Sequence, residues 1–275
     1  TGNGWKTVEV AAEITPTSWL SLDLASADAG EILAVGFDDD DGLDLDRFFQ
    51  LGGSDVRPDV AGQVDYTGAG ATQRLAIEVG AGVTGPVSRL VLAVDDDADG
   101  SGVATFSNIV LTDGPPVFVD GVTRGALAYD PVGQDEGTAT PGGEGRELTL
   151  AGNAWKRLAV DVEITAETLL AFEVASSDLG EIAAVGFDDD ASLSLDRLFQ
   201  FGGSDVRPDV AGQVSYTGAG AFERVEVAVG AEYVGRFSEL VLAMDDDADG
   251  SGAATFRDLE ILRPEKGLLS HGGPT

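Results

Sequence analysis

The chain has 275 residues, and 49 acidic against 16 basic side chains give it a formal net charge of −33. It has no Cys, and its single His, His271, lies in a Gly- and Pro-containing C-terminal segment. This composition excludes disulfides, zinc–thiolate sites, thiol nucleophiles and a Ser-His-Asp triad. The charge disfavours nucleic acid and anionic lipid, and the apolar runs are too short to cross a bilayer. We therefore expect cations or neutral molecules as partners.

The sequence contains two copies of one module. A shift of 150 residues aligns residues 5–112 with residues 155–262 without a gap, and 66 of these 108 positions are identical. A fixed internal period of this kind indicates a duplicated structural unit. The repeat predicts a first module at residues 1–113, a linker at 114–127, a second module at 128–263 and a tail at 264–275.

Residues 113–150, which we call the leader, are rich in Gly and Pro and end in the alternating run "RELTL" before "AGNAWK". We expect the leader to belong to the second module, and we expect an equivalent segment of the first module to be trimmed, absent or replaced. Either the first module then has an open sheet edge, or the leader contributes strands to both modules, because an unpaired edge invites aggregation.

Apolar residues alternate with polar ones in runs such as "KTVEVAAEI", "WLSLDLAS", "RLAIEV" and "RLVLAV", and in their counterparts in the second copy. Clusters of Gly, Asp and Pro separate these runs, and no window keeps a helical period. The pattern predicts an all-β fold of two tandem jelly-roll-like β-sandwich modules.

Two loops are unchanged between the copies, whereas strand positions have drifted. Residues 52–64, "GGSDVRPDVAGQV", recur at residues 202–214, and "DDDADGSG" at residues 95–102 recurs at residues 245–252. Loops usually vary more than the scaffold, so this pattern suggests a functional site. The alternative is a recent duplication with uneven drift, in which turn glycines must keep positive φ angles.

The acidic loop follows a strand and has the start of a D-x-D-x-D-G calcium loop. The position of the bidentate Glu of an EF-hand holds Phe106, so an EF-hand is excluded and further ligands must come from elsewhere. The invariant strand end "GFDDD" is the expected source, and oxygen ligands without Cys or His favour calcium. The alternative is a solvated acidic turn on a halophile-like surface. The predicted Ca²⁺ ligands are Asp38, Asp39, Asp40, Asp95, Asp97 and Asp99, with Asp188, Asp189, Asp190, Asp245, Asp247 and Asp249 in the second copy.

The second invariant loop combines one aromatic residue with planar polar groups, which is the chemistry that binds sugars. Its Arg could equally clamp a carboxylate. The alternative is an Arg–Asp pair that rigidifies the loop, with Tyr as a lid on the core. We expect Trp5 and Trp155 at core or sheet-edge positions. The predicted ligand-binding residues are Asp55, Arg57, Asp59, Gln63 and Tyr66, with Asp205, Arg207, Asp209, Gln213 and Tyr216 in the second copy.

The succession "GNAWK", "LLAFEVASSDLGEIAAVGFDDD", "LFQFGG", the loop at Tyr216, "VAVGAEYVG" and "LVLAMDDDADGSGAATFRDL" resembles carbohydrate-binding-type β-sandwich modules. Modules of this type accompany secreted bacterial polysaccharide-degrading enzymes such as agarases and alginate lyases. "AYDPVGQDEGTATPGGEGRELTL" is similar to the first strands of such a module. The resemblance implies a non-catalytic, extracellular, calcium-containing module with a glycan ligand and a catalytic domain on the same parent chain.

Three functional classes follow from these observations. A tandem glycan-binding module gains avidity because its second contact is intramolecular. A calcium-stiffened structural or adhesin spacer needs only the acidic loops. A glycan-cleaving enzyme with paired carboxylates is the least favoured, since the whole site would be carried twice in small modules.

Overall fold

The structure, a computed structural model, describes residues 2–40, 42, 44–129, 133–190 and 192–263. Their regular secondary structure is almost all β-strand, arranged in several sheets, which confirms the predicted all-β class and is consistent with β-sandwiches. None of the helices in this described part of the chain is long and apolar enough to cross a membrane. The tail expected at 264–275 lies outside the described residues.

The chain divides into two compact units. The first comprises Thr1–Val117 together with Pro141–Arg146, and the second comprises Phe118–Thr140 together with Glu147–Thr275. The first unit thus takes two pieces of the leader, residues 113–117 and residues 141–146. The segment 114–127, expected as a linker, contains strand residues, as the following bounds show.

The first unit has a five-stranded sheet in the order β1-β7-β3-β4-β5 and a three-stranded sheet in the order β6-β2-β8. All pairs are antiparallel except β4–β5, which is parallel. Short 3₁₀ turns lie at Leu45–Arg47, Val79–Ala81 and Gly143–Gly145. The strands are β1 (Gly4–Ile14), β2 (Ser18–Asp28), β3 (Ile32–Asp38), β4 (Phe48–Gly52), β5 (Gly62–Gln63), β6 (Gln73–Ile77), β7 (Gly85–Asp95) and β8 (Val103–Asp113).

The second unit repeats this arrangement and adds strands from the leader. A short helix, α1, spans Val229–Glu232, and a 3₁₀ turn spans Leu195–Arg197. The strands are β9 (Pro116–Val119), β10 (Val122–Ala128), β11 (Thr138–Gly142), β12 (Glu147–Ala151), β13 (Ala154–Ile164), β14 (Leu169–Asp178), β15 (Ile182–Asp188), β16 (Leu198–Gly202), β17 (Gly212–Gln213), β18 (Glu223–Val227), β19 (Gly235–Asp245) and β20 (Ala253–Leu262).

The added strands extend both sheets of the second unit. The order β13-β19-β15-β16-β17 matches β1-β7-β3-β4-β5, and β18-β14-β20 matches β6-β2-β8. Strand β10 pairs with the outer edge of β13, and β12 pairs with the outer edge of β20. Among the described residues, β1 and β8 are edge strands. The first of the two expected alternatives, an open sheet edge, therefore holds for the first unit.

Each core lies between the two sheets of its unit. Leu22 and Leu24 of β2 are buried against Leu33 and Val35 of β3, because alternate residues of a strand face one side of its sheet. Phe172, Phe201 and Phe256 occupy the core of the second unit, with ring centroids 5.6 to 6.0 Å apart. Burying side chains of this size contributes about 1.5–3 kcal/mol each.

Trp5 and Trp155 lie on the other face of the larger sheet of their units. Trp155 is buried in a cluster with Tyr129 and Leu198. Trp5 is half-buried and packs edge-to-face on Phe48, with ring centroids 5.6 Å apart. Trp5 is thus a packing residue on the edge strand β1, and Trp155 is a buried core residue on β13, as expected from the sequence.

Candidate functional site

The two invariant loops of the first unit meet at one end of its sandwich. The turn at residues 28–31 follows β2, and the N–H of Glu31 donates to the carbonyl of Asp95 at 2.8 Å. The N–H groups of Ser54 and Asp55 donate to the carbonyls of Gly30 and Glu31 at 3.1 and 2.9 Å. The second unit repeats these contacts. We call this region the loop end; it comprises residues 26–31, 52–71 and 95–102 in the first unit and 176–181, 202–221 and 245–252 in the second.

The strand-end acids lie at the opposite end of the sheet, contrary to the expectation that they join the acidic loop. In the antiparallel pair β3–β7, Ile32 is opposite Asp95 and Asp38 is opposite Arg89. The length of β3 at 3.3 Å per residue separates Asp38 from Asp95 by about 20 Å. One ion therefore cannot take ligands from both groups.

Arginine side chains supply positive charge next to these strand-end acids. Asp38 pairs with Arg89 at 3.0 Å, and Asp39 pairs with Arg47 at 3.2 Å. The carboxylate oxygens of residues 38–40 lie within 4.8 Å of one another. In the second unit, Arg197 contacts both Asp188 and Asp189. The repulsion expected to require a cation is thus offset by guanidinium groups.

In the acidic loop, the carboxylates that meet are those of Asp28, Asp96 and Asp99, whose oxygens lie within 4.8 Å of one another. The prediction had chosen Asp95 and Asp97 as partners of Asp99. Strand β7 continues through Asp95, and Asp96 is the residue that turns inward, with a relative exposure of 5%. Asp97 instead accepts a hydrogen bond from the side-chain amide of Asn3 at 2.6 Å.

Asp28 was missed by the sequence analysis, although a signal existed. The tripeptide Asp-x-Gly at residues 28–30 recurs at 178–180 next to a strand end. The carboxylate of Asp28 accepts from the Gly30 N–H at 3.0 Å and from the Ser101 hydroxyl. These two donors lower the pKa of Asp28, the Ser101 hydroxyl being the larger cause. Asp28 is therefore ionised at neutral pH.

The other two acids of this cluster are also held by loop donors. The Asp96 carboxylate accepts from the Gly102 N–H at 2.7 Å, and Asp99 accepts from the Ser101 N–H at 2.9 Å. Hydrogen bonds from Ser101 lower the pKa of Asp99. Three carboxylate groups, one from the end of β2 and two from the acidic loop, form a donor set that suits a hard cation. Asp178, Asp246 and Asp249 make the corresponding contacts in the second unit.

Asp95 and Asp245 differ from this cluster because burial disfavours their charged form. Burial, followed by the neighbouring Asp97, raises the pKa of Asp95. Burial and Asp247 likewise raise the pKa of Asp245, whose Oδ1 atom is buried with no hydrogen-bond partner among the described residues.

The invariant loop at residues 52–64, which we call the Arg loop, is fixed by an amide network with Gln50 of β4. The Gln50 carbonyl oxygen accepts from the Arg57 N–H at 2.9 Å, and the Gln50 amide donates to the Asp55 carbonyl at 2.8 Å. The Gln63 amide donates to the Arg57 carbonyl at 2.7 Å. Gln63, predicted as a ligand-binding group, is therefore engaged by the loop backbone. Gln50, a buried polar residue in the apolar run "FFQLGG", was missed.

Arg57 forms a paired interaction with Asp59, at 3.1 Å for both nitrogens, and its third nitrogen lies 3.9 Å from Asp55. The hydrogen bond that Arg57 donates to Asp59 is the main cause that raises the pKa of Arg57. Arg207 repeats the pair with Asp209 at 3.1 and 3.0 Å, Asp205 lies 3.8 Å away, and Gln213 repeats the contact of Gln63. The structure brings these predicted residues together as an Arg–Asp pair on the loop surface.

Tyr66 holds the loop to the sandwich through its hydroxyl group. The hydroxyl accepts from the Ser26 N–H at 2.7 Å and lies 3.1 and 3.0 Å from the carbonyls of Ser26 and Ala71. The ring is half-buried against the core, and the chain passes its edge at Gly68. Tyr216 has the same hydroxyl contacts. The geometry is that of a lid, so the predicted stacking face is partly covered.

The backbone of the loop end explains much of its identity between the copies. Gly53 has a φ angle of +113°, and a Cβ atom there would lie 2.2 Å from the carbonyl oxygen of Glu31. Only glycine fits a position of this kind. The corresponding φ of Gly203 is +112°.

A surface cavity of about 510 Å³ opens at the loop end of the second unit. One aromatic residue, Tyr216, lies in its lining. The polar lining residues are Ser176, Ser177, Asp178, Ser204 and Thr217. Hydroxyl and carboxylate groups around one aromatic side chain suit a small polyhydroxylated ligand.

No protein-family model matches the chain, and no curated protein matches it. Among solved structures, the chain is similar to the tandem CBM51 modules of a family 98 glycoside hydrolase from Streptococcus pneumoniae. That similarity has a TM-score of 0.25 and 10% identity, and covers 93% of this chain and 83% of that one. A solved structure described as domains CD has a TM-score of 0.27 and 11% sequence identity, and the similarity covers 94% of this chain and 100% of that one.

A putative secreted protein from Parabacteroides distasonis gives a TM-score of 0.17 and 11% identity, covering 93% of this chain and 79% of that one. TM-scores of this size do not establish a shared fold. The function of this chain is therefore argued from its own residues.

Proposed function

We propose that the chain is a non-catalytic tandem module that binds a polysaccharide through the loop ends of its two units. The observation that carries the proposal is the cavity at the loop end of the second unit, which is lined by Tyr216, Asp178 and several Ser and Thr residues. Sugars offer C–H faces to an aromatic ring and hydroxyls to polar groups. The proposal includes an extracellular location and a catalytic domain on the same parent chain.

Calcium is the proposed cofactor of the loop end. Asp28, Asp96 and Asp99 offer three carboxylates in the first unit, and Asp178, Asp246 and Asp249 are their counterparts. Asp28 and Asp178 belong to the turns that carry the Arg loops by backbone hydrogen bonds. A bound ion would thus fix the turn on which the glycan-binding loop rests.

A glycan-array screen run with calcium and again with a chelator tests ligand and metal together. We expect binding of one or a few polysaccharides with calcium and weaker binding with chelator. Retention of a polysaccharide in both conditions would contradict the calcium requirement. Failure of every polysaccharide to bind with calcium present would contradict the glycan proposal.

Variants of the loop end locate the site. Replacing Arg57 alone with Ala should weaken binding modestly, because the second unit still holds the polymer, whereas Arg57→Ala with Arg207→Ala should also lose the avidity. Arg236→Ala, an exposed arginine paired with Asp161 away from the loop end, is the matched control and should bind as the parent does. A double Arg57/Arg207 variant that binds like the parent would exclude these two arginines as glycan contacts.

A calcium-stiffened spacer is the second candidate, and one observation favours it. The amide of Gln63 and the guanidinium of Arg57 are engaged within the loop, and the hydroxyl of Tyr66 is engaged by Ser26 of β2. A loop whose polar groups satisfy one another can serve rigidity alone. Melting that depends on calcium, in a protein that retains no polysaccharide, would favour this second candidate.

A further inference from the structure

The first unit leaves exposed the two strand edges that the leader covers in the second unit. Val8 on β1 and Val103 on β8 are 47% and 43% exposed. Leu158, the counterpart of Val8, is fully buried beside β10. Edge strands with exposed apolar residues are templates for another strand.

Strand β8 shows the same difference along its length. Phe106 is half-buried, whereas its counterpart Phe256 is fully buried opposite Leu148 of β12. Thr255 shares a hydroxyl hydrogen bond of 2.8 Å with Thr149 of β12. Thr105, the counterpart of Thr255, is retained in the first unit but is exposed there.

A lysine that is present in both copies, Lys6 in the first and Lys156 in the second, makes the surface specific for a segment with an acidic residue. In the second unit, the leader residue Asp135 accepts from the Trp155 N–H at 3.0 Å and from the ammonium group of Lys156 at 2.5 Å. Lys156 is 9% exposed there. Trp5 and Lys6 keep both residue types in the first unit, where Lys6 is exposed and has no acidic partner among the described residues.

We propose that the edges of β1 and β8 form a docking surface for a polypeptide segment of leader type. Such a segment has a strand of small apolar residues ending in an aromatic residue, as at Tyr129. Six residues after the aromatic residue, the segment has an acidic residue that reaches Lys6, as at Asp135. The segment also has a second strand, which pairs with β8 and has apolar residues at alternate positions, as at Leu148 and Leu150. In the second unit, Asp188 accepts a hydrogen bond from the Tyr129 hydroxyl. In the first unit, its counterpart Asp38 already pairs with Arg89, so the aromatic residue of a docked segment needs no hydroxyl group.

The test uses the full chain and a synthetic peptide of residues 119–151. The second unit keeps its own leader because that leader is held intramolecularly at high effective concentration. We expect one peptide to bind per chain and the amides of β1 and β8 to gain protection from hydrogen exchange. A peptide carrying Leu148→Asp and Leu150→Asp should not bind.

A double-mutant cycle checks the charged contact. Lys6→Met in the chain and Asp135→Asn in the peptide should each weaken binding about tenfold, and the two together should weaken it little further. Arg236→Met is the control and should leave peptide binding unchanged.

A second experiment tests the same docking if the free peptide associates with itself and does not bind the chain. A copy of residues 116–150 joined in front of Thr1 places the added leader in register, because residue 1 corresponds to residue 151. Unchanged exchange of the β1 and β8 amides in both experiments would overturn the proposal. Protection of these amides in the parent chain alone, with a dimer by sedimentation, would overturn it in favour of a second copy as the occupant.

Discussion

The hydroxyl of Tyr66 bridges three backbone groups on two segments, Ser26 of β2 and Ala71 of the following loop. A side chain that satisfies backbone groups in this way stabilises the loop, and its role in ligand binding rests on the ring alone. In Tyr66, the hydroxyl oxygen therefore serves loop stability, and the ring is the part that would serve ligand binding.

We expect Tyr66→Phe to lower the free energy of unfolding of the first unit by about 1–3 kcal/mol, because the Ser26 N–H loses its acceptor. Tyr216→Phe should do the same to the second unit. Chemical denaturation with a probe in each unit measures this, and Val56→Ala, at an exposed position, should change little. If the ring contacts the glycan, binding by the folded Phe variants stays near that of the parent; equal stability would show that the hydroxyl is dispensable.

At the scale of the element, the loop end depends on close backbone contacts. The loop at Gly53 lies against the turn at Glu31, and the acidic loop pairs with the same turn through Asp95. The two invariant loops share one support, so a change in that support should alter both of them.

Gly53→Ala and Gly85→Ala form a matched pair in the first unit. Both glycines have φ angles above +100°, but a Cβ at Gly85 would meet nothing within 4 Å, whereas one at Gly53 would meet the Glu31 carbonyl. Both variants bear the conformational cost, and we expect Gly53→Ala to be less stable than Gly85→Ala by about 2 kcal/mol or more. Equal free energies of unfolding for the two variants, measured in urea, would show that the loop at Gly53 shifts without a loss of stability.

The strands and the repeat could be predicted because period-two alternation and a fixed 150-residue shift are local properties of the sequence. Which aspartates of the acidic loop point inward could not be predicted, because nothing in "DDDADG" shows that β7 ends at Asp95 and that Asp96 turns inward. The partner Asp28 lies on another strand, and only the antiparallel register separates Asp38 from Asp95. Pairing between distant strands is therefore the information that the sequence patterns lacked.

At the scale of the whole molecule, a net charge of −33 makes the folded state repel itself. The Debye length falls from about 10 Å at 0.1 M salt to about 3 Å at 1 M salt. Sodium chloride should therefore raise the melting temperature of both units by screening, whatever the acidic loops bind.

Calcium at millimolar concentration should act differently, because so little salt screens weakly. A bound ion stabilises the native state by about 2.7 kcal/mol at a hundredfold excess over its dissociation constant. We expect calcium, but not magnesium at the same concentration, to raise the melting temperature in fixed sodium chloride. Equal responses to both ions, with no calcium by elemental analysis, would identify the loops as solvated acid.

The assignment of Pro141–Arg146 to the first unit means that the chain crosses the boundary between the units three times. A single cut after Val117 does not yield two complete units, since the amino-terminal fragment loses those six residues and the other fragment keeps them. Limited proteolysis at that boundary should release an amino-terminal fragment that melts at a lower temperature than the first unit does in the intact chain. To separate the two units as complete fragments, residues 141–146 must therefore be supplied a second time, as in a duplicated leader.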